Sequence, residues 1–258
     1  MTIHPSALIS PEAELADDVV VGPFAVIEGP VKLAAGVVIG GHAWVCGDTW
    51  LGEGTRIGWG SVIGADPQDL GFDPACRSGL RIGAGNQIRE YVTIHRSSKE
   101  GGNTTLGDGN YLMTGVHLGH DSLVGDSNVI ANNVMFGGHV HLGNRVFLGG
   151  GAGFHQFLHI GDLVMVQGNA VVSQDVPPYC VVYGNNQLAG LNTVGLRRAG
   201  FDAAARAEIK KAYGLLFTSG LTLYKALEEA VAMDWSPAAR CLLEAVAKPS
   251  RKGIITRG

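Results

Sequence analysis

The chain contains few charged and few aromatic residues, and it lacks the segments that direct a protein into a membrane or out of the cell. Charged residues make up 16% of the 258 residues and aromatic residues 7%, but 46% are hydrophobic, which is too many for a disordered chain. No apolar run approaches the roughly 20 residues that a membrane helix needs, and no basic segment followed by an apolar one opens the chain. We therefore expect a soluble, cytoplasmic protein without a transmembrane segment.

Cysteine is also scarce. The four cysteines lie far apart and form no CxxC pair, so the sequence indicates neither a disulfide framework nor a zinc ribbon. We expect all four thiols to be reduced, as they are in the cytoplasm.

Negative charge predominates, but it is unevenly distributed. Residues 1–187 hold 8 Lys and Arg against 17 Asp and Glu, a net charge of −9, whereas residues 188–258 hold 11 against 6, a net charge of +5. The overall charge of −4 argues against general nucleic-acid binding. The basic C-terminal segment is expected either to attract an acidic partner, such as phosphates, anionic lipids or an acidic protein, or to be a solvated helical surface.

A repeat of six residues runs through most of the chain. Aliphatic or aromatic residues recur at every sixth position from Ile3 to Ile63, from Ile82 to Ile94, and, after one missed step, from Leu106 to Val172. An α-helix repeats its apolar positions about every 3.6 residues and a strand about every 2, so this period indicates a parallel β-helix built of hexapeptides. Glycine follows many of these residues, which is consistent with tight backbone at the corners of such a helix.

Two segments interrupt the repeat, and a third has a different pattern. Residues 64–81 shift the register and are expected to form an excursion from the β-helix, where binding groups often lie. Residues 95–105 replace one hexapeptide with a polar stretch, which predicts a flexible loop. Beyond the last hexapeptide, apolar residues take helical spacing. We therefore predict an all-β solenoid over residues 1–187 and a small C-terminal α-helical domain over residues 188–258.

The hexapeptides with Leu, Ile or Val followed by Gly resemble those of the hexapeptide acyltransferases. This resemblance implies a left-handed parallel β-helix with three sides and 18 residues per coil. In that repeat, His120, His139 and His155 occupy one side of three successive coils, and His117 lies at the adjoining corner. Asp121 follows His120 directly. A histidine held by a carboxylate can remove a proton from a hydroxyl group and later return it, so the cluster is consistent with general-base catalysis.

Two other interpretations of the histidine cluster stay open on the residue types alone. Three histidines could hold Zn²⁺ with one position free for water, as in the carbonic anhydrases of the hexapeptide fold, although no histidine spacing here is itself a metal signature. Alternatively, the imidazoles could be polar groups on the exposed face of a structural or ligand-binding β-helix.

Ten short segments carry a closer resemblance. They are Pro67-Gln68-Asp69-Leu70, Ile88-Arg89-Glu90, Val92-Thr93-Ile94-His95-Arg96, His117-Leu118-Gly119-His120-Asp121, Ala131-Asn132-Asn133, Gly138-His139-Val140, His155-Gln156-Phe157, Gln174-Asp175-Val176-Pro177-Pro178-Tyr179, Gly184-Asn185 and Gly195-Leu196-Arg197-Arg198. In order and spacing, they resemble the UDP-N-acetylglucosamine O-acyltransferase family of lipid A biosynthesis over nearly the whole chain. The resemblance implies a cytoplasmic homotrimer with active sites between neighbouring β-helices. The implied reaction moves a 3-hydroxyacyl chain from acyl carrier protein to the 3-hydroxyl of UDP-N-acetylglucosamine or a close UDP-sugar.

The same resemblance implies roles for individual residues. His120 would be the general base, Asp121 would orient it, and the backbone N–H of Gly138 would hold the developing oxyanion. The residues that would bind the sugar nucleotide or line the cleft are Gln68 and Asp69 (sugar), His139 (diphosphate), Gln156 (sugar or acyl group), Asn192 and Arg198 (uridine), and His117 and His155 (cleft wall). No metal or cofactor is expected, because phosphopantetheine arrives covalently on the carrier protein.

Three positions depart from the family pattern around the acceptor. Gly71 stands where lysine is usual, Asn186 where histidine is common, and Ala199 where a third basic residue often occurs. A lost ammonium group near a phosphorylated sugar changes the affinity or the identity of the acceptor. An enzyme that forms an amide on a 3-amino UDP-sugar is therefore an alternative, and a zinc hydratase is a second.

The region that measures the acyl chain in this family also departs from the pattern. Gly168 matches a position whose small size leaves room for a long chain, but Gln167 replaces a usual glycine, and His159 is polar where an aliphatic residue is expected. These three residues are the expected acyl-chain ruler, and the length that they select is open.

Overall fold

The computed structural model describes residues 1–256. In this part of the chain, twenty-eight short strands form three sheets that coil around one axis, and all of the strand pairs are parallel except the pair of the last two strands. Sheet 1 consists of β1 (Thr2–Ile3), β4 (Val20–Val21), β7 (Val38–Ile39), β10 (Arg56–Ile57), β13 (Gln87–Ile88), β16 (Tyr111–Leu112), β19 (Val129–Ile130), β22 (Phe147–Leu148), β25 (Met165–Val166), β27 (Cys180–Tyr183) and β28 (Gln187–Leu191). Sheet 2 consists of β2 (Leu8–Ile9), β5 (Val26–Glu28), β8 (Trp44–Cys46), β11 (Val62–Ala65), β14 (Thr93–His95), β17 (His117–Leu118), β20 (Met135–Phe136), β23 (Gly153–Phe154) and β26 (Val171–Val172). Sheet 3 consists of β3 (Glu14–Leu15), β6 (Lys32–Leu33), β9 (Asp48–Leu51), β12 (Gly79–Ile82), β15 (Asn103–Leu106), β18 (Leu123–Val124), β21 (His141–Leu142) and β24 (His159–Ile160).

The register of the strands stacks the hexapeptide residues on one another. Leu118 pairs with Phe136 and Phe136 with Phe154, so one regular coil takes 18 residues. These apolar side chains point inward; Leu118 is fully buried and Phe136 is 1% exposed. The rings of Phe136 and Phe154 meet edge to face with centroids 5.1 Å apart. Because every coil repeats the same turn, residues 18 positions apart form columns on the outside of the β-helix.

The first interruption is shorter than the expected range of 64–81. β11 continues to Ala65 and β12 begins at Gly79, and both strands pair with neighbouring coils. The loop proper therefore spans residues 66–78. The boundary was misjudged because β12 is longer than a regular strand. Leu80 and Ile82 are both buried in the core of the β-helix, so the apolar residues of β12 alternate instead of following the hexapeptide period.

The second interruption adds residues to a coil, whereas the sequence indicated the replacement of one hexapeptide. Ile94 on β14 pairs directly with Leu118 on β17, which makes this coil six residues longer than the regular one. β15 begins at Asn103 and pairs along its whole length with β12, so the loop proper spans residues 96–102. The extra residues leave the β-helix at the turn between sheet 2 and sheet 3.

Four helices follow the last strand. They are α1 (Thr193–Arg198), α2 (Ala203–Phe217), α3 (Leu223–Val231) and α4 (Pro237–Ala247). A side chain caps the N-terminus of each helix, and the capping residues are Asn192, Asp202, Thr222 and Ser236. The predicted boundary between residues 187 and 188 falls at the start of β28, which pairs antiparallel with β27. Among residues 1–256, none of the helices is both long enough and apolar enough to cross a membrane.

Candidate active site

The site lies at the turns that lead from sheet 2 to sheet 3 in three successive coils, residues 119–122, 137–140 and 155–158; we call these turns the histidine corner. The coil of 18 residues stacks two columns there. The first column contains His120, Gly138 and Gln156, and the second contains Asp121, His139 and Phe157. All three residues of the second column adopt the left-handed backbone conformation, with φ of 58°, 61° and 67°. The same conformation recurs at turns elsewhere in the β-helix, for example at Phe24, His42 and Ser127, so it is a feature of the repeat.

His120 and Asp121 form a buried pair. His120 Nδ1 lies 2.7 Å from Asp121 Oδ2, and each residue is 8% exposed. A carboxylate accepts hydrogen bonds only, so this contact places the imidazole proton on Nδ1 and leaves the lone pair of Nε2 free. The arrangement is that of a general base with an orienting carboxylate.

Two serines of the inserted loop hold the carboxylate of Asp121. Ser97 Oγ donates to Oδ1 at 2.5 Å, while Ser98 donates to Oδ2 through Oγ at 2.7 Å and through its N–H at 3.2 Å. Burial alone would raise the pKa of Asp121, but the hydrogen bonds from His120, Ser97 and Ser98 outweigh it and hold that pKa well below its usual range. Sequence reasoning missed both serines, although two hydroxyl groups in a polar insertion were the available signal.

Gly138 lies against the free nitrogen of His120. A Cβ atom added at Gly138 would be 2.6 Å from His120 Nε2 and 2.7 Å from Cε1, so only glycine leaves room for the ring in this position. The N–H of Gly138 donates to no other group in residues 1–256. A free donor therefore lies directly beside the free lone pair of the base.

His139 connects this pair to the next coil. Its ring meets His120 edge to face, with centroids 5.1 Å apart, and stacks on Phe157 at 4.5 Å and 9°. Burial lowers the pKa of His139, the carboxylate of Asp121 opposes this shift, and the positive charges of Lys99, His120 and Arg251 add to it.

His117 lies on strand β17, not at a corner, so the expected placement was wrong. The residue before an inward-pointing leucine must point outward, and the corner begins only at Gly119. His117 Nδ1 lies 2.7 Å from Thr93 Oγ1, and its ring meets that of His95 at 5.1 Å. Burial, followed by the charges of His95 and His120, lowers the pKa of His117 to about 4, so this side chain is neutral near pH 7.

The three histidines that were expected to share one side lie instead at three different positions of the histidine corner. His155 occupies the first position, His120 the second and His139 the third, because their spacings are not multiples of 18. His155 is exposed, and its Nδ1 lies 3.1 Å from Lys252 Nζ. Gln156 is exposed and stacks in the column of His120.

The other expected substrate residues lie on two other segments of the chain. Gln68 and Asp69 are exposed on the loop of residues 66–78, where the neighbouring Leu70 has 110% relative exposure. Asn192 and Arg198 line a separate cavity of about 840 Å³ on sheet 1. Asn192 also has a structural role there, because its side chain accepts the N–H of Gly195 and donates to the carbonyl of Leu163.

The expected acyl-chain ruler is divided between two faces. Gln167 and Gly168 are exposed at the turn that follows β25, between sheet 1 and sheet 2. His159 lies on sheet 3, where its ring meets that of His141 at 4.6 Å and lines a groove of about 520 Å³. One chain therefore does not bring these three residues together.

The donor atoms of His120, Asp121 and His139 all lie within 4.8 Å of one another, so the cluster has the dimensions of a metal site. The hydrogen bonds around Asp121 favour a role as an orienting carboxylate instead. Both oxygens of Asp121 already accept hydrogen bonds from serines, and His120 Nδ1 also donates to Oδ2. A metal ion bound by Asp121 would compete with these hydrogen bonds for the carboxylate oxygens.

Comparisons with known proteins agree on one family. Residues 175–255 match the family model described as Udp N-acetylglucosamine O-acyltransferase, domain 2. Among curated proteins, the chain is 40% identical over 260 residues to the acyl-[acyl-carrier-protein]–UDP-N-acetylglucosamine O-acyltransferase of Syntrophobacter fumaroxidans, with 99% of this chain and 100% of the relative covered. It is 44% identical to the protein of that name in Paraburkholderia phytofirmans, with 98% of each covered.

Solved structures give the same result. The UDP-N-acetylglucosamine O-acyltransferase of Moraxella catarrhalis superimposes with a TM-score of 0.92 at 37% identity, over 99% of this chain and 100% of the other. The homologous structure from Acinetobacter baumannii gives 0.93 at 35% identity, with coverage of 99% and 100%. The predicted fold, a left-handed parallel β-helix of hexapeptides with C-terminal helices, is thereby confirmed.

Proposed function

The chain belongs to the family of acyl-[acyl-carrier-protein]–UDP-N-acetylglucosamine O-acyltransferases, and from this membership we infer its reaction. The enzyme moves a 3-hydroxyacyl group from acyl carrier protein to the 3-hydroxyl of UDP-N-acetylglucosamine, the first step of lipid A biosynthesis. The relatives are named for O-acylation, so neither the amide-forming enzyme nor the zinc hydratase is favoured.

The observation that carries the mechanism is the 2.7 Å contact between His120 Nδ1 and Asp121 Oδ2, with Nε2 left free beside Gly138. In the proposed reaction, Nε2 takes the proton of the sugar 3-hydroxyl while the hydroxyl oxygen attacks the thioester carbonyl carbon. The tetrahedral intermediate then collapses, the C–S bond breaks, and the imidazolium returns its proton to the departing thiolate. The result is an ester and the free thiol of phosphopantetheine.

Asp121 and Gly138 support the two charges that develop in this reaction. The carboxylate of Asp121 stays ionised because its pKa is held low, so it stabilises the imidazolium form of His120. The free N–H of Gly138 is the proposed donor to the oxyanion. A single donor of this kind contributes about 3 kcal/mol of barrier lowering in acyl transfer.

We propose that substrate recognition needs a second copy of the chain. Gln68 and Asp69 would contact the sugar, and Asn192 with Arg198 the uridine, yet Asn192 and Arg198 line a cavity on sheet 1, away from the histidine corner of the same chain. The exposed Leu70 at the tip of the same loop also lacks a partner surface among residues 1–256. A homotrimer with sites between neighbouring β-helices would bring these groups together and would unite the acyl-chain ruler of Gln167, Gly168 and His159.

The remaining assignments follow the same arrangement. His139 is proposed to contact the diphosphate and Gln156 the sugar or the acyl group, while His117 and His155 line the cleft. No resident cofactor is proposed, because the donor brings phosphopantetheine with it. The basic C-terminal segment suits an acidic carrier protein. We propose a cytoplasmic location for the enzyme, as the family resemblance implies.

Mass spectrometry of reaction products tests this function. Purified protein is incubated with a chain-length series of 3-hydroxyacyl carrier proteins and with either UDP-N-acetylglucosamine or its 3-amino analogue, and His120→Ala is assayed alongside. We expect an ester on the unmodified sugar and no ester with the variant. The preferred donor shows which chain length the acyl-chain ruler selects. An amide formed only on the amino sugar would instead show that the acceptor differs, in agreement with the departure at Gly71. The absence of product with either sugar would refute the assignment.

A further inference from the structure

The last described residues of the chain pass along the histidine corner. The N–H of Asp175 donates to the carbonyl of Gly253, and the N–H of Ile255 donates to the carbonyl of Asp175, both at 2.9 Å. Ile255 is fully buried, and Gly253 has a φ of +74°, which the turn at this point requires. The backbone of this segment is therefore fixed to the β-helix, and the side chains just before it are held in place.

Two cations of this segment lie beside the site. The guanidinium carbon of Arg251 is 4.2 Å from the centre of the Phe157 ring, and Lys252 Nζ is 5.9 Å from the same ring. Phe157 in turn stacks on His139, which contacts the base His120. A continuous row of ring contacts thus connects the general base to Arg251.

Within residues 1–256, the positive charge at this place is not neutralised. No carboxylate of residues 1–256 lies within ion-pair distance of Arg251, Lys252 or Lys99. Asp121, the carboxylate of the corner, is engaged by His120 and the two loop serines. Lys252 instead approaches the exposed His155 at 3.1 Å. Several fixed cations around an open edge of a site raise the local concentration of anions.

We propose that Arg251 and Lys252 form a phosphate-binding subsite at the histidine corner, in which the substrate's phosphate groups are held while the acyl group is transferred. An arginine presents a planar fork of N–H donors that matches phosphate oxygens, and stacking on Phe157 fixes the plane of that fork. The assignment rests on the proposed function, which offers two sources of phosphate. One is the diphosphate of the sugar nucleotide, and the other is the phosphodiester of the phosphopantetheine arm.

Binding and kinetics distinguish the two sources. Calorimetry with UDP measures the affinity for the diphosphate of the sugar nucleotide. The ratio of kcat/KM for acyl-phosphopantetheine to kcat/KM for acyl-pantetheine measures the preference for the phosphate of the donor. The variants are Arg251→Gln, Lys252→Gln and the double variant. The combined variant Lys210→Gln, Lys225→Gln is the matched control, because it removes two charges from exposed positions of the helices. The altered side chains are at most partly buried, and the melting temperature verifies that each variant is folded.

If the subsite holds the sugar nucleotide, the double variant raises the Kd of UDP about tenfold or more, with kcat at saturating substrate within about threefold of wild type. If the subsite holds the phosphate of the phosphopantetheine arm, the double variant loses a preference of about tenfold for acyl-phosphopantetheine over acyl-pantetheine. The subsite does not exist if the double variant matches the control Lys210→Gln, Lys225→Gln in both measurements. UDP binding does not depend on turnover, so a protein that binds UDP through Arg251 but makes no ester would refute the proposed function and leave the subsite standing.

Discussion

Substitution of Gly138 by alanine tests the placement of the base most directly. The added methyl group would lie 2.6 Å from Nε2 of His120, and the three nearest atoms to it all belong to that imidazole ring. The ring cannot rotate away freely, because Nδ1 is bonded to Asp121 at 2.7 Å. It must therefore move by about 0.9 Å to reach an ordinary contact distance of about 3.5 Å.

A displacement of this size has a predictable kinetic cost. Misplacement of a reacting group by about 1 Å lowers the rate by about 10²-fold, which corresponds to about 2.7 kcal/mol of barrier. Alanine keeps the backbone N–H at this position, so the loss would report the position of the base and not the removal of the oxyanion donor. Gly138 does not have a left-handed backbone conformation, and we expect the fold to be retained.

The assay is steady-state ester formation from UDP-N-acetylglucosamine and 3-hydroxyacyl carrier protein. Gly214→Ala on α2 is the control for the Gly-to-Ala change itself, because its methyl group would meet only Thr218 Oγ1 at 3.8 Å. We expect kcat of Gly138→Ala to fall about 100-fold with the melting temperature nearly unchanged. A kcat within threefold of wild type would refute the reasoning, since the observed position of His120 would then not be the reacting one.

Three further predictions concern the groups around the site and the core. Ser98→Ala removes one donor to Asp121 and should lower kcat about tenfold, whereas Ser98→Thr keeps the hydroxyl and should restore it; equal activity of the two variants in the same assay would argue against a positioning role. The pKa of His117 is about 4 in the folded chain and about 6.5 in the unfolded chain. Neutral His117 therefore contributes about 2 kcal/mol to the free energy of unfolding, after allowance for partial exposure. This contribution is present above pH 6.5 and is lost as the pH falls toward 4. Urea unfolding at pH 7.5 and pH 4.5 should show this loss in the wild type and a smaller one in His117→Gln, and equal losses would contradict it. Phe136→Ala should lower the free energy of unfolding by about 4 kcal/mol through a core cavity, while the exposed neighbour Met135→Ala should change it little; chemical denaturation compares the two.

The hexapeptide period made the β-helix predictable from sequence, because each coil repeats one local geometry and the inward position is always apolar. The same period predicted that chemistry-bearing residues of successive coils would stack. It did so only in part, since His120, His139 and His155 occupy three different positions of the turn. Whether an outward residue lies on a strand or at a corner depends on where each strand ends, which a single apolar position per hexapeptide does not specify.

Sequence alone thus determined the fold class, the family and the pairing of His120 with the adjacent Asp121. Only the tertiary structure decided what surrounds this pair. Ser97 and Ser98 reach Asp121 from an inserted loop, and Arg251 reaches the corner from the far end of the chain. These contacts join segments with no common period, and they form because packing and hydrogen bonding of the whole chain bring them together. A repeat predicts what recurs, whereas an insertion or a terminal segment is positioned only by the surface on which it packs.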